Sequence, residues 1–154
     1  MRAYRDTGRL AAAESFGSAL LNDPATPPDS LALLGVTYSV VKRRQGDFAG
    51  MFSICERMAQ CAPSCEWTSI AYYWLGLRAW KAGNAAQARS HAQKMLTALG
   101  NDCVIFWKED YAASAQCLLA GLNLTQIPAT CPSRPEKLQA RLLEIQNDLG
   151  AIPN

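Results

Sequence analysis

Few side chains of this 154-residue chain could do chemistry: six cysteines, one histidine and 13 carboxylates. Cys61 and Cys65, in Cys-Ala-Pro-Ser-Cys, are the closest cysteine pair. They flank a tight turn, and a disulfide can close over that distance. Zinc is not expected, because thiolate sites favour two CxxC pairs and neither a second pair nor a nearby histidine is present. Cys117 and Cys131 are a second pair that can meet, across the loop before the last helix. If either bridge forms, the compartment is oxidising (periplasmic or extracellular); otherwise the cytoplasm is the default. His91 lies between Ser90 and Ala92 in mid-helix, where a lone histidine serves as a surface or packing residue. Glu109 and Asp110 occupy adjacent helix positions and point apart, so they do not converge on a substrate. There is no phosphate loop, no Gly-x-Ser-x-Gly and no HExxH. The expectation is no enzyme, no catalytic residue, no cofactor and no metal.

Composition narrows the partners. Hydrophobic residues make up 49% and charged ones 18%, so the chain is globular rather than disordered. A formal charge of +2 is too small to argue for nucleic acid. The densest basic cluster, Lys42-Arg43-Arg44, reads as cations placed at a helix C-terminus, where the dipole favours them. No stretch approaches the apolar length that spans a bilayer. The opening MRAYRDTGRLAAAES lacks the apolar core of a signal peptide.

The elements that must position these residues are helices. Asn22-Asp23-Pro24 closes one apolar-periodic run, and Pro27-Pro28 follows. Asp29 or Ser30 is placed to cap LALLGVTYSVVKRR, which Gly46 stops. Asp47 caps FAGMFSICERMAQC, which Pro63 stops. Ser64 is placed to cap EWTSIAYYWLGLRAWKA before Gly83, and Asn84 to cap AAQARSHAQKMLTAL before Gly100. Asp102 is placed to cap VIFWKEDYAASAQCLLAGL. Ser133-Arg134-Pro135-Glu136 reads as a capping box with proline near the first turn of KLQARLLEIQNDL. Strictly alternating β-branched runs are missing, so no sheet is expected. The pattern predicts about seven antiparallel helices of roughly 13 to 20 residues.

Gly8, Gly46 and Gly83 stop helices about 37 to 38 residues apart, and each precedes a helix rich in small residues. Self-similarity at this period means stacked helical hairpins. Tyr72, Leu75, Gly76 and Ala79, followed by Ala88, Ala92 and Met95, resemble the two helices of a tetratricopeptide repeat. Leu31, Leu34, Gly35 and Tyr38, then Met51, Cys55, Met58 and Pro63, are a second match, with a first helix about one turn too long. Ala12, Phe16, Ala19 and Pro24 resemble a second helix whose first has mostly gone, leaving Tyr4. Beyond residue 100 only Tyr111 and Ala115 fit.

The resemblance implies an all-α, right-handed superhelix (solenoid) of about three hairpins with a C-terminal capping helix. It divides one domain, 1–154, into a partial repeat (1–28), a repeat (29–63), the best-matching repeat (64–100) and a degenerate repeat with its cap (101–150). Gly35 and Gly76 would sit where paired helices touch, Cys55 would be a small core hydrophobe, and Tyr72 and Trp74 would fill space between hairpins.

First helices of such a stack line a groove. On that register Ile70, Tyr73, Leu77, Trp80 and Lys81 face it, with Ala32, Val36, Ser39, Val40 and Arg43 from the preceding repeat. Glu109, Ala112, Gln116 and Leu119 come from the following one. The expected contact set is Val36, Val40, Arg43, Tyr73, Leu77, Trp80 and Lys81. Tyr73 and Leu77 stand where the family's carboxylate clamp needs Asn or Lys, so no such clamp is expected. The expected function is non-catalytic binding of a partner protein's peptide or helix, as an adaptor or assembly factor. The alternative readings are a secretion or envelope-assembly chaperone for an aggregation-prone subunit, and a helical regulatory domain of a larger enzyme or membrane protein. The reduced first hairpin carries the expectation that the segment belongs to a longer chain, or that a partner covers that end.

Overall fold

The computed structural model describes residues 9–100 and 107–154. Among them are seven α-helices and no strand, so the chain is all-α. We number them α1 (Leu10–Asn22), α2 (Pro28–Arg44), α3 (Phe48–Cys61), α4 (Thr68–Lys81), α5 (Ala85–Leu99), α6 (Lys108–Leu119) and α7 (Pro135–Ala151). A short 3₁₀ turn, Leu124–Gln126, precedes α7. Each helix packs on its neighbours in sequence, and α4 also meets α2, α6 and α7.

The two tightest hairpins share one device. α2 and α4 run into Gly46 and Gly83, both in the left-handed region (φ +75° and +76°). An L side chain is disfavoured there, and glycine is not, so the chain reverses at these points. The next helix is then capped by a side chain: Asp47 accepts from the Gly50 N–H, and Asn84 from the Gln87 N–H. Both caps are those expected from sequence.

Other boundaries shift. Pro27, not Asp29 or Ser30, holds the cap position of α2, leaving Asp29 in the first turn, where a carboxylate suits the helix dipole. α4 starts at Thr68, not after Ser64. Backbone turns fill the interval, and the Thr68 hydroxyl donates back to the Ala62 carbonyl (2.7 Å). The capping box at Ser133 does not form. Arg134 is the cap residue, without a side-chain bond, and Pro135 opens α7. The expected cap Asp102 lies outside the described residues.

The core runs through every helix, but α4 is its axis. Residues 68–77 and Ala79 are all buried, as in a helix apolar on every side. Glycines mark the close approaches. A Cβ on Gly35 would lie 2.6 Å from Met58 Cγ and Sδ of α3. On Gly76 it would lie 3.3 Å from Leu118 Cδ1 of α6 and 3.6 Å from His91 Cβ of α5. Tyr72 and Trp74 are buried; Tyr72 stacks on His91 (6.2 Å between centroids) and donates to the Pro63 carbonyl (3.2 Å). Cys55 is buried with its thiol pushed up to about 12 by desolvation, the behaviour of a core hydrophobe.

Lys42, part of the basic cluster, knits three helices. It pairs with Glu14 of α1 and with Asp47 (2.9 Å) at the start of α3. The Glu14 hydrogen bond raises the Lys42 pKa, and Lys42 and Gln45 lower that of Glu14. The cluster therefore works between helices as well as at a helix end.

The possible Cys61–Cys65 bridge is not formed: both are free thiols, Cys61 exposed and Cys65 half-buried. Burial raises the Cys65 pKa, and nearby backbone N–H groups oppose the shift; the Thr68 N–H donates to the Cys65 carbonyl (2.9 Å). Cys117 and Cys131 are also free; Cys117 is buried and donates to the Leu138 carbonyl (3.5 Å).

Candidate functional site

A cleft of about 470 Å³ opens between α2 and α4 on one side and α6 and α7 on the other. Val36, Val40, Ile70 and Trp67 supply an apolar wall, and Tyr73, Trp74, Trp107 and Tyr111 supply rings. Arg43, Asp110, Arg141, Glu144 and Asp148 bring charge to it. These residues arrive by simple periodicity. Val36, Val40 and Arg43 recur at four and three residues on α2, and Ile70, Tyr73 and Trp74 at three and one on α4, so each set shares a face.

The rings hold the cations. The Arg43 guanidinium lies 5.2 Å from the Trp74 ring centroid, and that of Arg141 lies 5.9 Å from both Tyr73 and Tyr111. Tyr73 meets Trp74 and Tyr111 edge-on, at 5.3 and 5.7 Å. Cations over such faces gain about 0.5 to 2 kcal/mol from the ring quadrupole. Carboxylates complete the set: Asp148 accepts from the Tyr73 hydroxyl (2.7 Å) and faces Arg43 at 3.7 Å, and Glu144 pairs with Arg141. Arg141 also donates from Nε to the Ser114 hydroxyl (2.8 Å), and Lys137 pairs with Asp110 (2.6 Å).

Burial raises the Tyr73 pKa, with Asp148 adding to the shift. Burial likewise pushes Tyr111 up to about 12, against the pull of Arg141. Both phenols therefore stay neutral across the physiological range and act as donors and apolar walls. Among the described residues no group of three or more His, Cys, Asp or Glu is placed to hold a metal ion, and no helix is long and apolar enough to cross a membrane.

The seven residues of the expected contact set separate. Val36, Val40, Arg43 and Tyr73 come together on the cleft. Leu77 does not face it: the side chain is fully buried in the core. α4 is packed by helices on several sides, and Leu77 is part of the core they enclose. Trp80 turns to the connection after α6, where a Cβ on Gly121 would lie 3.6 Å from its ring. Lys81 donates to the backbone carbonyls of Leu149 (3.0 Å) and Ile152 at the end of α7. Of the secondary positions, Ile70 and Ser39 line the cleft although mostly buried, and Ala32 is buried away from it.

What the repeat register missed is α7. Arg141, Glu144, Asn147 and Asp148 form a wall of the cleft, and Trp107 just before α6 and Tyr111 of α6 complete it. A signal was present: Lys137 and Arg141 sit in the first half of α7 and Asp148 in its last turn, with no basic residue there. Glu136 in the first turn suits the helix dipole, but Asp148 in the last turn does not, so Asp148 answers to something outside its own helix.

No family model, no curated protein and no solved structure matches this chain.

Proposed function

We propose that the chain is a non-catalytic protein-interaction module of the tetratricopeptide-like kind, with its hairpins stacked as a right-handed superhelix. A partner's peptide or helix lies in the cleft, against Val36, Val40 and Arg43 of α2, Tyr73 of α4, Trp107 just before α6 and Tyr111 of α6. The observation that carries this reading is the cleft itself: an open volume of about 470 Å³ with an apolar α2–α4 wall and a charged rim. That is room for a few side chains, and an apolar floor beneath a polar rim suits an amphipathic segment. The repeat likeness draws support from Gly35 and Gly76 at the helix contacts and from Ala88 and Ala92, both fully buried on α5.

The test uses the chain as bait in its native source, with mass spectrometry of what is retained and a binding assay on each purified candidate. Val36→Glu and Val40→Glu, on half-buried positions, should lose the partner while keeping the helical circular dichroism. Trp80→Ala, away from the cleft, should retain it. A partner held equally by all of these baits refutes the assignment.

A further inference from the structure

We infer that α7 is an exchangeable occupant of the surface it lies on, and that the partner docks there with a helix of α7's own chemistry. The inference rests on reading the cleft as a protein-binding site.

The surface beneath α7 is polarised. Arg43 and Lys81 lie at one end, and Asp110 at the other. α7 carries the opposite order: Lys137 on Asp110, then Asp148 on Arg43 and Tyr73, then the carbonyls of Leu149 and Ile152 on Lys81. Glu136 in the first turn suits the helix's own dipole, but Asp148 in the last turn opposes it and matches the surface, so Asp148 specifies docking rather than helix formation.

The apolar part of the contact is thin. Within α7 only Leu138 and Ile145 are fully buried, with Ile152 just beyond it; Leu142 and Leu149 pack on the core half-buried, and Leu143 is 61% exposed. By contrast, α4 buries every residue from 68 to 77. The side-chain polar contacts that link α7 to Tyr73, Lys81, Asp110 and Ser114 are only part-buried, and few fully buried residues mark an element of lower local stability. The tether permits release. Residues 120–134 join α6 to α7, against three residues joining α2 to α3. It begins with two left-handed residues, Gly121 (φ +65°) and Leu122 (φ +58°), the second at a cost for a side chain.

The partner that fits is therefore an amphipathic helix. It carries a basic residue early, two apolar residues seven apart, and an acidic residue three further on, as α7 does with Lys137, Leu138, Ile145 and Asp148.

The probe is a fluorescein-labelled synthetic peptide of residues 134–154, titrated into the full chain and followed by anisotropy. In the wild-type chain the resident helix competes, and uptake is weak. Asp148→Ala in the chain loosens the resident helix, and the unmodified peptide should then bind at least about tenfold more tightly, in proportion to the rise in open population. The same peptide carrying Asp148→Ala should lose that gain. Equal affinity for both chains, or none for either, overturns the inference. So does a dimer of the Asp148→Ala chain by light scattering without peptide uptake, which would make a second copy the occupant. Hydrogen exchange on the wild-type chain is independent of whether the variant folds: α7 amides should exchange at least about tenfold faster than those of α4 and α5. Exchange of α7 in concert with α4 overturns the proposal. If Val36→Glu abolishes partner capture while the peptide fails to exchange, the interaction reading stands and this inference alone falls.

Discussion

The hairpins α2–α3 and α4–α5 are built to one plan and end in different states. Each has a glycine at the helix contact, a left-handed glycine at the reversal and a side-chain cap on the second helix. Val36 and Leu77 each follow the contact glycine of their helix, yet Val36 lines an open cleft and Leu77 is sealed. Neighbours make the difference: α4 is packed by α2, α3, α5, α6 and α7, whereas α2 packs mainly on α1, α3 and α4 and reaches α7 through the Arg43–Asp148 pair. One repeat plan thus yields a core helix in the middle and a presenting helix beside it. Position in the stack decides which.

The largest effect that separates the two hairpins should come from these paired positions. Leu77→Ala removes a fully buried side chain and should cost about 2 to 5 kcal/mol. Val36→Ala, half-buried, should cost about 1 kcal/mol or less. Urea melts followed by circular dichroism read both, and similar losses would mean the cleft is closed over α2.

The contact glycines come next. A methyl group on Gly35 runs into Met58, itself buried, at 2.6 Å, and overpacking of that kind costs about 1 to 3 kcal/mol. A methyl group on Gly76 meets the tip of Leu118 at 3.3 Å, a contact that can give by a few tenths of an ångström. The gain of about 1 kcal/mol in helix propensity from Gly to Ala then offsets most of the strain. Gly35→Ala should therefore destabilise clearly and Gly76→Ala hardly at all. The reverse ranking would place the tighter helix contact in the second hairpin.

Much of this plan was readable from residues alone, because its signals are local. Gly46-Asp47 and Gly83-Asn84 state a helix stop and a helix cap within two residues, and both form. The start of α4 was not readable, since it depends on the Thr68 hydroxyl finding the Ala62 carbonyl six residues back. The cleft was half legible. Val36, Val40, Arg43 and Tyr73 follow from helical register, but the burial of Leu77 and the capture of Lys81 by the end of α7 depend on packing that a register does not carry. A register shows which residues share a helix face, but not which distant helix covers that face.

The caps offer a smaller test. Asp47→Ala and Asn84→Ala each remove an acceptor from a helix start and should cost about 0.5 to 2 kcal/mol. Asp47→Ala should be the worse, because Asp47 also pairs with Lys42. The excess should shrink when the salt concentration is raised, since that pair is partly exposed. Equal costs at all salt concentrations would leave Lys42 bound to Glu14 alone.

The smallest and most selective effect belongs to His91, whose counterpart on α3 is Ile54, counting from Asn84 and Asp47 respectively. His91 is packed beneath Tyr72, with Nδ1 buried and unpartnered. Burial lowers its pKa from 6.5, and the positive charges of Lys94 and Arg78 lower it further. The fold therefore holds the neutral ring, while the unfolded chain takes up a proton near its ordinary value. Stability from this site is complete above 6.5 and is lost as pH falls through the lowered folded value. The carboxylates Glu14 and Asp47 also have lowered pKa values, but from 4.5 and 3.8, so their loss sets in at more acid pH. Between neutrality and about pH 5 the histidine acts alone among these three groups. The melting temperature of the wild-type chain should fall across that interval, and that of His91→Ile, which gives the second hairpin the first one's side chain, should stay nearly flat. Parallel curves for the two proteins would mean that the ring is solvated, and that the α4–α5 contact is looser than its α2–α3 counterpart.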